Sequence, residues 1–178
     1  MEEVKKAMNL FAKSVVMQSK RNLTREGKRA SSSLHKSIKY DLDVYKNSFS
    51  LSFLMEDYGQ FVDQGVKGAN PSMVKNGKQK APNAPFKFKR KKPPLSAMME
   101  FAKRKSIRFR GKSGRFKDGD RRTIAFWLQS RIYAQGIAPS LFFTKPFEKA
   151  FKKLPDEVIE KFGLEVDDFI QHALKDLK

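Results

Sequence analysis

The sequence predicts an α+β fold: a small antiparallel sheet, built from a hairpin and short strands, flanked by four to five helices, with a long basic loop. Three observations predict it. Apolar residues recur every three to four positions near both ends and in the middle of the chain, as on helices with one buried stripe. Between residues 38 and 54 the period falls to two, the signature of half-buried strands. Sixteen phenylalanines and a hydrophobic fraction of 39% in 178 residues supply a core. A domain of this size buries roughly two thirds of its unfolded surface and needs no covalent staples. The whole of 1–178 is expected to form a single domain.

Taken in order, residues 2–21 read as an amphipathic helix with Val4, Ala7, Met8, Phe11 and Val15 on one stripe. NLTREGKRASSS, with Gly27 and its serines, reads as a polar loop. From Leu34 to Leu54 the pattern alternates. Ile38, Tyr40, Leu42 and Val44 interleave with Lys39, Asp41, Asp43 and Tyr45; Phe49, Leu51 and Phe53 interleave with serines. Lys46-Asn47 supplies the turn of an antiparallel hairpin with one buried face. MEDYGQFVDQGVKG then reads as a junction. Asp57 caps a short helix, Tyr58, Phe61 and Val62 share its inward face, and Gly65 ends it.

Residues 66–93 are proline-rich, free of acids and without hydrophobic period, and read as an extended basic loop or arm. PPLSAMMEFAKRKSI starts a helix with Leu95, Met98, Met99 and Ala102 on one face. RFRGKSGRFKDGD is a second basic loop. Asp120 caps the helix RRTIAFWLQSRIYAQ, which is expected to bury Ile124, Trp127, Leu128 and Ile132 and to end at Gly136. IAPSLFFTKPFEKAFKKL is a Pro-bounded apolar segment entering a short helix. From Pro155 an acidic amphipathic helix is expected over 155–178, striped by Val158, Ile159, Phe162, Val166, Phe169, Ile170, Leu174 and Leu177.

The net charge is +19, which opposes a compact state by self-repulsion unless something anionic is near. The charge is uneven. Residues 67–117 hold 17 Lys/Arg and one acid, Glu100, whereas 156–178 hold seven acids and three Lys. The basic part suits phosphate, and opposite patches suit head-to-tail pairing of identical subunits. There is no cysteine, so disulfides and Cys-based zinc sites are excluded. The N-terminal segment is charged throughout and lacks the apolar run of a signal peptide. No apolar run approaches the ~20 residues that cross a bilayer.

Patterns that carry catalysis are incomplete. His35, placed at a strand start, and His172, on the terminal helix, lack a second ligand at metal spacing. Asp118 and Asp120 read as a turn and a cap rather than a cation loop, which needs further oxygen ligands and a terminal Glu. Glu56, Asp57 and Asp63 beside a basic tract raise a metal-nuclease reading, but such a site needs carboxylates from separate elements. Cap and solvent-facing positions account for them. GKSGR at 111–115 is half a phosphate loop, with Ser106 where the first glycine belongs. No metal or cofactor is expected. In PFKFKRKK and IRFRGKSGRFK, Phe86, Phe88, Phe109 and Phe116 alternate with cations. Rings so placed are either stacking platforms for single strands or the packed face of a strand whose other face is basic.

Four stretches occur in a telling order: the hairpin LHKSIKYDLDVYKNSFSLSF, then YGQFVDQGVKG, then PFKFKRKKPPLSAMMEFAKRKSI, then IAFWLQSRIYAQGIAPSLFFTKPFEKAF. Together they resemble the neck or tail-completion proteins of tailed bacteriophages, the lambdoid head–tail connector group. That family carries "YG-x-F-V-(D/E)-x-G" after a strand pair and "G-I-x-P-(T/S)-x-F-F-x-(K/R)-P-F" after a helix. The first falls here on Tyr58, Gly59, Phe61, Val62, Asp63 and Gly65. The second falls on Gly136, Ile137, Pro139, Ser140, Phe142, Phe143, Lys145, Pro146 and Phe147. The resemblance covers most of 1–152. It implies a structural virion protein, not an enzyme, made in the host cytoplasm and assembled in the neck. Its expected partners are copies of itself in a ring, neighbouring neck, portal or tail-tube proteins, and double-stranded DNA in the channel, with no membrane. Lys87, Lys89, Arg90, Lys91, Lys92, Arg108, Arg110, Lys112 and Arg115 are the candidate contacts to DNA or to a neighbouring subunit. The alternative is a nonspecific nucleic-acid-binding protein using the same cations.

Overall fold

The computed structural model describes residues 2–25, 32–45, 48–70, 72, 77–110, 116–117, 120–162 and 170. In chain order these form α1 (Glu2–Arg25), α2 (Ser32–Ser37), β1 (Lys39–Val44), β2 (Phe49–Leu54), α3 (Gly59–Gln64), β3 (Val66–Lys67), β4 (Phe86–Lys87), α4 (Leu95–Arg104), β5 (Phe109–Arg110), β6 (Phe116–Lys117), α5 (Arg121–Gln135), β7 (Gly136–Ile137), α6 (Thr144–Phe151) and α7 (Asp156–Phe162). The fold is α+β. The chain divides into two compact units, Met1–Asp63 with Leu141–Lys178, and Gln64–Ser140.

The first unit is built on α1, the β1–β2 hairpin, α6 and α7. Met8, Phe11, Ala12, Val15 and Leu23 line the buried side of α1 at helical spacing. The helix runs past the expected end at Arg21 to Arg25, because Leu23 continues that stripe. Likewise Ser32–Ser37, including His35, is a short helix rather than loop and strand start; Leu34 from it enters the core. The hairpin register pairs Tyr40 with Phe53, Leu42 with Leu51 and Val44 with Phe49, so like faces meet. Tyr45 N–H donates to Ser48 O at 2.8 Å where the strands reverse. Four phenylalanines knit the unit edge-on, the favoured geometry for ring pairs. Phe11 lies 5.1 Å from Phe147, and Phe53 lies 5.2 Å from Phe143 and 5.9 Å from Phe147. Val158, Ile159 and Ile170 pack on the same core. The rest of the expected acidic helix, 163–169 and 171–178, lies outside the described residues.

Of the three residues expected on the inner side of α3, Val62 packs on the core, but Tyr58 and Phe61 do not turn inward. Phe61 is 41% exposed and Tyr58 37%, whereas Asp63 is only 3% exposed. One Asp63 carboxylate oxygen accepts the Phe143 N–H at 2.8 Å and the Thr144 N–H at 3.3 Å; the other accepts the Thr144 hydroxyl at 2.5 Å. Asp63 O also accepts the Leu141 N–H at 2.9 Å. The first N–H groups of a helix lack intrahelical partners, and here a carboxylate 80 residues earlier in the chain satisfies them at the start of α6. Gly59 is buried because a Cβ there would lie 2.6 Å from the Met55 sulfur.

The second unit holds a three-stranded mixed sheet in the order β4-β3-β7, plus the β5–β6 ribbon. β3 pairs parallel with β4 and antiparallel with β7. The parallel pair is not legible in the sequence, because two-residue strands show no period. α5 starts as expected: the Asp120 side chain accepts the Arg122 N–H. It ends at Gly136, with φ +82°, whose N–H donates to Ile132 O. Ile124, Ala125 and Leu128 are buried, but Trp127 is 43% exposed, contrary to the sequence reading. On α4, Ala102 is buried and Met98 packs with it as expected, while Met99 faces outward and Phe101 joins the cluster in its place. The described parts of 66–93 are tied within the unit. Ala69 N–H donates to Tyr133 O, Lys80 N–H to Gln135 O, and the Gln79 side chain to Gly68 O.

Candidate nucleic-acid interface

The basic tract gains a definite shape from how 86–93 lies on α5. Phe88 N–H donates to Lys67 O at 3.1 Å, extending the β3–β4 pairing by one residue. The Phe88 ring then rests 5.8 Å from Tyr133. Tyr133 donates its hydroxyl to Lys89 O at 2.6 Å, and Gln129 donates its amide to Pro93 O at 2.7 Å. Two residues one turn apart on α5, Gln129 and Tyr133, thus hold the strip at both ends. The consequence is one-sided: Phe86 and Phe88 are half-buried, while Lys87, Lys89, Arg90, Lys91 and Lys92 are exposed. Of the two readings of alternating Phe and Lys, the packed strand with a basic outer face is the one found.

Phe109 follows the same rule, edge-on to Trp127 at 5.8 Å and packed against the α4–α5 cluster. Arg108 beside it is exposed. Arg110 pairs through its backbone with Phe116 in the β5–β6 ribbon. Lys112 and Arg115 lie outside the described residues, as does Asp118.

The exposed rings are ones the sequence reading placed inside or passed over. Phe126 is 47% exposed and carries Arg122 at 5.8 Å over its face; Trp127 carries Arg131 at 5.0 Å. Lys92 sits 5.9 Å over Tyr133. A guanidinium on a ring keeps its charge in water while its plane covers apolar surface. The legible signal was the spacing: Arg122–Phe126 and Trp127–Arg131 are both i, i+4 pairs, neighbours on a helix surface. Exposed cations and rings thus lie both on α5 and on the strip 87–92 packed against it, with no acid among the residues named.

The residues of the two quoted patterns serve structure. Gly65 has φ +79°, and a Cβ there would lie 2.7 Å from Ile137 O and 2.8 Å from Pro139 N. Val66 pairs with Ile137, and Lys67 with Gly136. A Cβ on Gly136 would overlap Val66 O. In the first unit Val62 packs on the core, and Phe142, Phe143, Pro146 and Phe147 are buried beyond Asp63. Asp63 is thus not the solvent-facing acid expected, and its oxygens are committed to α6. Glu56 accepts the Ser33 hydroxyl at 2.6 Å. Among the described residues no group of three or more His, Asp or Glu is placed to hold a metal ion, and no helix is long and apolar enough to cross a membrane.

Compared with known proteins, the chain matches no family model, no curated protein and no solved structure.

Proposed function

We propose that this chain is a structural subunit of a bacteriophage neck. Copies form an oligomeric ring that joins the portal or head to the tail and lets double-stranded DNA pass. The observation that carries this reading is how the two separated sequence patterns complete each other. The first supplies Asp63 to the start of the helix that the second encodes, and Gly65 to Lys67 receive Gly136 and Ile137 edge to edge. Patterns that interlock by buried hydrogen bonds and glycine contacts constrain each other, so their co-occurrence in one order reflects one structural device.

The mechanism follows from charge. A ring of subunits each carrying +19 repels itself in empty solution, and phosphate in the lumen offsets that repulsion. Lysines at 87, 89, 91 and 92 and Arg90 contact a backbone as point charges and read no sequence. Such contact is held by counterion release and lets DNA slide. Heterologous contacts between identical subunits close a ring when the rotation closes. The neighbours in the assembly are other neck, portal or tail-tube proteins, the location is the virion, and no cofactor takes part. Sedimentation velocity on the purified protein and mass spectrometry of purified virions test the proposal. A ring-sized species, favoured when duplex DNA is added to the sedimentation sample, and presence in the virion are expected; a strict monomer with and without DNA that is absent from the particle refutes it.

A second reading is favoured by the exposed Phe126 and Trp127 with their arginines: a free, nonspecific nucleic-acid binder. It expects tight binding by the isolated subunit with a steep salt dependence. Replacing Lys89, Arg90, Lys91 and Lys92 by Gln removes up to four phosphate contacts and lowers the log–log salt slope by about 3–4. A slope unchanged by the quadruple substitution sinks this reading.

A further inference from the structure

We propose that the second unit carries a phosphate-binding pocket at the turn between α4 and β5. A cavity of about 180 Å³ opens there, floored by Ala102, Ile107 and Ile124 and rimmed by Lys103, Arg108 and Arg121. Its volume equals that of roughly six waters at liquid density, which is room for one phosphate group and the first atoms of an ester. Three cations converge from three places in the chain: the last turn of α4, the strand approach, and the first residue of α5. Two guanidiniums offer the planar forks that match phosphate oxygens, and Lys103 adds a point charge.

The turn also packs: Ile107 joins the cluster of Ala102, Ile124 and Leu128. α4 ends in a Schellman motif: Ser106 N–H donates to Lys103 O at 3.2 Å and Ile107 N–H to Ala102 O at 3.0 Å. The residue in the left-handed position, usually Gly, is Ser106 at φ +48°. A non-glycine residue is uncommon there. Ser106 also lines the cavity, and a serine hydroxyl can supply a fourth donor there. The apolar side chains beside the cations lower the local dielectric, which strengthens charged hydrogen bonds made to a ligand there. Neither Lys103, Ser106 nor Arg121 belongs to the tract of candidate contacts read from the sequence; the fold gathers them around Arg108.

The ligand chemistry is a phosphate mono- or diester. The source is either the backbone of a nucleic acid or a free phosphate compound. Isothermal titration of the full chain with inorganic phosphate, at ionic strength held constant with chloride, tests the site. One saturable site per chain is expected. Arg121→Gln and Ser106→Gly should each weaken it about tenfold, and Lys149→Gln, an exposed cation of the first unit, should not. Ser106→Gly should at the same time raise the melting temperature, because glycine takes the left-handed position more readily; weaker binding in a more stable protein cannot arise from misfolding. Titration of the same variants with a 20-base-pair duplex separates the sources. Loss of duplex affinity in Arg121→Gln beyond that in Lys149→Gln assigns the pocket to backbone phosphate. Loss of phosphate binding alone assigns it to a free phosphate compound. No saturable phosphate binding, or equal behaviour of Arg121→Gln and Lys149→Gln, overturns the proposal. The sedimentation experiment on the ring is independent of all these outcomes.

Discussion

Removing the Asp63 carboxylate tests the central device of the first unit. Asp63→Ala strips acceptors from two backbone N–H groups and one hydroxyl, at 2.8, 3.3 and 2.5 Å. Phe143 is buried, so its N–H finds no water in compensation. A hydrogen bond to a charged group contributes about 1.5–3 kcal/mol, and a buried donor left unmade costs about 1–3 kcal/mol. Loss of an ordinary helix cap costs about 1 kcal/mol. Because the three contacts share one carboxylate they do not add fully, and about 2–4 kcal/mol is expected for Asp63→Ala. At roughly 2–4 °C per kcal/mol for a chain of this size, the melting temperature falls by about 10 °C. Asp63→Asn keeps one oxygen for the Phe143 N–H, and the Thr144 hydroxyl is free to rotate and accept from the new amide. It should cost about half as much. Thr144→Val removes one contact only, and the double variant Asp63→Ala/Thr144→Val should show coupling of about 0.5–3 kcal/mol. Urea denaturation followed by circular dichroism supplies all four values. An Asp63→Ala variant within about 0.5 kcal/mol of the parent, or a cycle with no coupling, refutes the reasoning.

Three further outcomes follow from burial and backbone geometry. Gly136→Ala and Gly77→Ala both place a side chain at positive φ, +82° and +63°, but only Gly136 faces backbone, so Gly77→Ala should cost about 1 kcal/mol and Gly136→Ala clearly more, by thermal melts. Phe147→Ala, in the midst of three other rings, should cost about 3–5 kcal/mol, whereas Phe61→Ala, on the outer side of α3, should cost under about 1 kcal/mol in the same urea assay. Ser19 is fully buried on α1, and its hydroxyl has no partner among the described residues. Ser19→Ala removes an uncompensated polar group and should raise the unfolding free energy by up to about 1 kcal/mol; a lower value would contradict the assignment.

The α+β class, the hairpin with its inward Tyr40, Leu42, Leu51 and Phe53 pairing, and the limits of α5 at Asp120 and Gly136 are legible in the residues alone. Each of these is a local matter: a period of two, a cap two residues from its N–H, a glycine at positive φ. The residues alone also show the charge asymmetry, and they leave Phe/Lys alternation in 86–92 between two readings that only packing separates. Tertiary structure decided which side of α3 faces inward. A six-residue helix has under two turns, so its stripe is undetermined, and the partner that draws Asp63 in is the start of a helix 80 residues later. It decided that Trp127 lies on the surface, because Ile124, Ala125 and Leu128 already fill the inner arc of α5 and an arginine four residues on covers the indole. It decided, too, that the basic strip is fixed along α5, through hydrogen bonds from Tyr133 and Gln129 to carbonyls 44 and 36 residues away. Backbone carbonyls carry no sequence label. Contacts made to them over long separations are therefore invisible until the chain has folded.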